Sequence, residues 1–146
     1  MNIETIDYAN HHQEEIRALF KKIYPDRPTI ADQMGYDVET ARHVTTKLAI
    51  IGGKIVGQAG IFYLKDEPGV AGMGWHVHPE FHGRGIGTLV AEVTLAEAKR
   101  RGVTKMAIQA AVENVASIAL AKKLGFRECR DVSVPESNAI RLTKEL

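Results

Sequence analysis

The sequence predicts a mixed α/β fold of the α+β type, one domain over residues 1–146. Three observations carry this. The chain has 146 residues, about one domain at ~100–200 residues each, with 45% hydrophobic and 25% charged residues, the balance of a protein with its own core. Its middle reads as strands separated by glycine-bearing turns. After the glycine-rich run Gly83–Gly87, the apolar residues switch from strand spacing to helical spacing.

In order, Ile3 to Ile6 reads as a short first strand. Asn10 and Gln13 resemble a capping box, and Ile16, Leu19, Phe20 and Ile23 recur at helical spacing, so a helix is expected from Asn10 to Tyr24, stopped by Pro25 and Pro28. Thr29 to His43 is polar and weakly periodic, with a short helix expected over Asp37 to Arg42. Lys47–Ile51, Gly52-Gly53 and Lys54–Leu64 form a hairpin signal, since two glycines can take the positive φ angles of a type I′ turn. Lys65 to Gly69 is a second turn, and Val70 to His78 a third strand ended by Pro79.

A helix then carries Ile86, Leu89, Val90 and Val93 and ends in Lys99, Arg100, Arg101 and Gly102, cations and a glycine where a helix C-terminus favours them. Val103 to Ala110 reads as a buried strand, Asn114 to Leu124 as a helix closed by Gly125, and Phe126–Val134 and Ala139–Leu142 as the last strands. No repeat or low-complexity segment interrupts this order.

Composition excludes several classes. Nineteen basic and 18 acidic side chains leave a net charge of +1, so no global field exists to hold nucleic acid or an anionic membrane. No apolar run is long enough to span a bilayer, and the N-terminus carries Glu4 in place of a secretory h-region. Cys129 is the only cysteine, which forbids an internal disulfide and suits a reducing, cytoplasmic setting. With no activating neighbour in sequence, it reads as a buried structural thiol.

The run His82-Gly83-Arg84-Gly85-Ile86-Gly87 lies between a strand and a helix. Backbone N–H groups there can approach an anion, and the helix start adds its dipole and unpaired donors. The alternative is a turn that merely permits close packing. A P-loop is excluded because no Lys precedes Thr88; a dinucleotide fingerprint fails on glycine spacing and on Gln109, where an acid is needed.

The stretch from Val77-His78-Pro79 through Gly83-Arg84-Gly85-Ile86-Gly87-Thr88 resembles the central motif of the GNAT superfamily of acyl-CoA N-acyltransferases, Q/R-x-x-G-x-G/A after a V-x-P strand end. Asn114-Val115-Ala116-Ser117 through Lys123-Leu124-Gly125-Phe126 resembles that family's next motif, one helix and one strand later. The resemblance implies a mostly antiparallel central sheet splayed in its middle and flanked by about four helices. It also implies acetyl-CoA as co-substrate. Backbone groups of Gly83, Arg84, Gly85, Ile86, Gly87 and Thr88 would hold the pyrophosphate with His82. Trp75, His76 and Val77 would pair with the pantetheine arm, and Asn114, with Ser117 nearby, would contact CoA. Asn114 also reads simply as an N-cap.

The chain departs from the family pattern at three places. His82 stands at the Q/R position. Ala121 stands where many relatives carry the Tyr that protonates the leaving thiolate, and Ala71 where a carboxylate base is common. That leaves His76 and His78, two apart on one strand, as the candidate general bases. Together with His82 they suggest a metal site, but no cysteine or acidic cluster accompanies them, so no metal is expected.

Acceptor specificity is expected from the first helix and the segment after it. Tyr24 and Tyr36 are the candidate substrate contacts, with His43 near them, and Asp32 and Asp37 are available to a cationic acceptor; Phe20 reads as core. The expected function is acetyl transfer from CoA to an amine of a small molecule or peptide; a catalytically weak acyl-CoA-binding regulator is the alternative. Homodimers are common in this fold, with Phe126 to Leu146 as candidate pairing edges.

Overall fold

The computed structural model describes residues 2–39, 45–64, 67–129 and 139–146. Among them seven strands form one sheet in the order β1-β2-β3-β4-β5-β7-β6. β1 (Ile3–Asp7), β2 (Thr45–Ile51), β3 (Lys54–Tyr63) and β4 (Val70–Val77) make an antiparallel meander. Gly52 and Gly53, at φ 56° and 78°, turn the β2–β3 hairpin as the glycine pair predicts. β5 (Lys105–Ala111), β7 (Ala139–Glu145) and β6 (Arg127–Cys129) are antiparallel among themselves.

The two halves meet in one short parallel ladder, Val70–Gly72 of β4 against Lys105–Ala107 of β5. Beyond it the halves diverge, because β4 stays paired with β3 out to Val77 and β5 with β7 out to Ala111. The sheet is therefore open in its middle.

Helix α1 (Gln13–Ile23) and helix α2 (Pro28–Glu39) cover one face. Ile16, Leu19, Phe20 and Ala31 pack there on Leu48 and Ile55. Helix α3 (Ile86–Arg100) and helix α4 (Val115–Lys123) cover the other. Ala91, Ala98 and Ala121 pack there against Ile61, Met73, Met106 and Leu142. β3 is buried on both faces from Ile55 to Ile61, which is why it reads as an apolar run rather than an alternating one.

Several boundaries differ from the sequence expectation. Asn10–His12 is a 3₁₀ turn, and the Ala9 N–H donates to His12 Nδ1 at 2.8 Å in place of an Asn10–Gln13 box. Pro28 begins α2, where its missing N–H costs nothing. That helix then runs the whole way to Glu39, with Ala31 buried and Met34 packed against the same core. Residues 130–138, part of the strand expected to Val134, lie outside the described residues, as does His43. β7 is an inner strand, so among the described residues only β6 of the expected pairing region is an edge. Cys129 is exposed on β6, not buried.

Candidate active site

The opening between β4 and β5 is the floor of a cleft of about 1810 Å³, larger than the ~300–1,000 Å³ of a typical small-molecule pocket and roomy enough for two ligands. Along β4 its floor is Met73 to Val77, along β5 Ile108 to Ala111; α1 and α2 wall one end and the starts of α3 and α4 the other. Among the described residues, Met73–Val77 has a strand partner on the β3 side only. Alternate N–H and C=O groups of that segment therefore face the gap, an arrangement an extended ligand can complete as an added strand.

Gly85 is the N-cap of α3, at φ 77°, and supplies no side-chain cap. Its carbonyl accepts from the Leu89 N–H at 3.0 Å, while the N–H groups of Ile86, Gly87 and Thr88 lack acceptors within the helix. All four residues line the cleft, and a Cβ placed at Gly83 or Gly85 would meet nothing within 4 Å. The helix start is thus an open, positively polarised cradle with its donors available to a phosphate. These features fit the pyrophosphate and pantetheine arm expected of acetyl-CoA. His82 lines the same end, its Nε2 3.1 Å from the Val77 carbonyl. Arg84 does not line it: its guanidinium stacks 5.0 Å over the Phe81 ring.

At the far wall, Asn114 Oδ1 accepts from the Ser117 N–H at 3.3 Å, and both residues line the cleft. Asn114 is therefore an N-cap that also faces the site. Lys123 lines the cleft, whereas Lys122 pairs with Glu128 at 3.5 Å.

The structure separates the two candidate bases. His76 faces α1 inside the cleft, with its ring 5.1 Å from Phe20 and 6.1 Å from Tyr24, both edge-on. Its Nδ1 lies 3.0 Å from Oε1 of Gln58, the residue directly opposite on β3. β4 ends at Val77, so His78 leaves the strand and its shared face. It is only 4% exposed, its Nδ1 accepts from the Glu80 N–H at 3.1 Å, and it is absent from the cleft wall. Burial, then the nearby Lys54, pushes its imidazole below the usual value.

Tyr24 lines the cleft, and burial raises its phenol while Arg27 opposes that rise. Tyr36 is on α2, with its side chain outside the described residues. Asp32 is exposed and does not reach the cleft. Phe20 is both core and cleft wall. Ala71 and Ala121 are buried core residues that do not touch the cleft.

Gln58 is the residue the sequence reading missed. It is 2% exposed and the only amide in the apolar run from Ile55 to Ile61, which is the signal that could have found it. No group of three or more His, Cys, Asp or Glu among the described residues could hold a metal.

A family model described as the acetyltransferase (GNAT) family matches residues 9–126. The chain belongs to the GNAT family. Its fold is shared with a GNAT-family acetyltransferase of Staphylococcus aureus Mu50, at TM-score 0.78 and 17% identity over 99% of both chains. The GNAT domain of S. lividans PAT superposes at TM-score 0.84, with 16% identity, covering 99% of this chain and 90% of that one. A Salmonella typhimurium structure solved with acetyl-CoA matches at TM-score 0.78 and 21% identity, covering 99% of this chain and 94% of the other. In sequence, an uncharacterized N-acetyltransferase of Methanocaldococcus jannaschii is 42% identical over 52 residues, 36% of this chain. The match spans 23% of that longer relative.

Proposed function

We propose that this GNAT protein transfers an acetyl group from acetyl-CoA directly to the amine of a small molecule or peptide, with His76 as general base. The observation that carries the reading is the joining of two features in one cleft, an open helix-start cradle and an imidazole beside the half-paired strand. The α3 start and Met73–Val77 would hold the phosphates and the arm of acetyl-CoA, with Trp75 beside them and Asn114 and Ser117 at the facing wall. A β4 N–H facing the gap would donate to the thioester carbonyl oxygen as charge builds on it.

Gln58 gives His76 a defined role. Its Oε1 accepts from Nδ1–H, which leaves Nε2 as the basic nitrogen of the neutral ring. His76 then takes a proton from the acceptor nitrogen as that nitrogen bonds to the acetyl carbon. The carbon–sulfur bond breaks with its electron pair on sulfur. A thiolate needs little help to leave near neutral pH, in keeping with alanine at position 121.

The test is His76→Ala assayed by thiol release. Turnover should fall by about 10²-fold or more with little change in acetyl-CoA affinity, and added imidazole should restore part of the rate. Wild-type turnover should decline as acid protonates the ring. An unchanged rate and a flat pH profile would remove His76 from the mechanism. Saturable acetyl-CoA binding with no acetylated product from any amine would favour a regulatory binder.

A further inference from the structure

Among the described residues that line the cleft there is no Asp and no Glu. The only Lys or Arg among those described lining residues are Lys123 on α4 and Arg27 on the α1–α2 turn. Arg27 is on the side of α1, where His76 meets Phe20 and Tyr24, and is near enough to Tyr24 to oppose the rise of its phenol. Its backbone is held in place: the Arg27 N–H donates to the Tyr24 carbonyl at 3.1 Å, and its carbonyl accepts from the Ala31 N–H at 3.1 Å. Pro25 and Pro28 flank the turn and stiffen it. The neighbouring walls are apolar, with Ile23, Ile30, Met34 and Phe62.

From this placement we infer that the acceptor is an amino-acid-like amine, carrying a carboxylate that pairs with Arg27 and an apolar or aromatic side chain. The inference rests on the acetyltransferase reading of the same cleft and narrows its acceptor. A polyamine, an aminoglycoside or a lysine-rich peptide would bring several cations into a cleft whose described walls offer two cations and no carboxylate. Each would lose water without an ionic partner. A carboxylate gains a planar, two-pronged partner in the guanidinium. The described walls also suit the chemistry, since no carboxylate among them holds the reacting nitrogen as an ammonium ion.

Two measurements test this. In the first, quenching of Trp75, the chain's single tryptophan and part of the cleft wall, is titrated with 3-phenylpropionate without acetyl-CoA. Saturable quenching that weakens about tenfold or more in Arg27→Gln, and less in Arg27→Lys, is expected. Quenching unaffected by Arg27→Gln, or none at all, would overturn the carboxylate site.

In the second, acetyl transfer is compared for L-phenylalanine, 2-phenylethylamine and spermidine. L-Phenylalanine should have the highest kcat/KM. Arg27→Gln should raise its KM about tenfold and leave the KM for acetyl-CoA unchanged. Preference for 2-phenylethylamine or spermidine would overturn the inference while leaving the transferase intact. So would a matching loss of acetyl-CoA affinity, which would assign Arg27 to the cofactor. If no amine is acetylated but the carboxylate still binds through Arg27, transfer fails and the anion site stands.

Discussion

At the scale of single residues, the proposed chemistry rests on the Gln58–His76 pair. It is a cross-strand pair on the α1 face of the sheet, made by the β3–β4 register. Gln58→Leu removes the acceptor and leaves Nδ1–H without it, so turnover should fall by about tenfold or more. Gln58→Glu, which keeps an acceptor at the same place, should retain more activity, and neither should change acetyl-CoA affinity. Equal losses in both variants, together with weakened acetyl-CoA binding, would mean that Gln58 only holds the fold. His78 has a structural signature. Its folded imidazole is below the usual range, so near and below about pH 6.5 the unfolded chain binds more protons than the folded one. Its contribution is intact above that pH and is lost as pH falls through the lower folded value. Urea unfolding from pH 7.5 to 5 should show wild type losing more stability than His78→Gln; identical slopes would contradict this.

At the scale of elements, the glycine-capped start of α3 is the proposed anion cradle. Gly85→Val should weaken acetyl-CoA binding about tenfold or more, measured by calorimetry. The new side chain would stand in open cleft space and would need a left-handed backbone, which costs about 1–2 kcal/mol. Retained affinity would argue against the cradle. The far end of α3 has its own pH dependence. Hydrogen bonds from Arg100 and then Arg101 hold Glu97 at about 2, so its stabilising effect is present above about pH 4.5 and lost as pH falls toward 2. Glu97→Gln should flatten acid unfolding in that window. The elements legible in the sequence were those with local signals. Gly52-Gly53 marked the hairpin, and the glycine run with its following apolar stripe marked α3. Two motifs in register pointed to the family and so to an open sheet. α2 was harder to read because, among its described side chains, Ala31 and Met34 are the ones that pack on the core, set among polar neighbours. The separation of His76 from His78 depends on β4 ending at Val77, which alternation along a strand does not announce. Gln58 gained its meaning only from the residue opposite it.

At the scale of the whole molecule, the proposed function uses two half-sheets that meet over three residue pairs and then part. The core on the α3–α4 face ties them together, with Leu142 of β7 packed in the same cluster as Ile61 of β3 and Ala91 of α3. Leu142→Ala should cost about 2–5 kcal/mol in denaturant unfolding, as for other buried leucines. A loss below about 1 kcal/mol would mean that the site collapses readily and that the halves are less tightly coupled. Direct transfer across the opening is the central claim, and isotope tracing tests it most directly. The protein is mixed with acetyl-CoA labelled in the acetyl group and with an amino-acid amine, and protein and small molecules are weighed over a single turnover. Label should pass from CoA to the amine nitrogen with none on the protein at any time. Label on Cys129 or a histidine before it reaches the amine, or label that stays on bound CoA, would contradict the account.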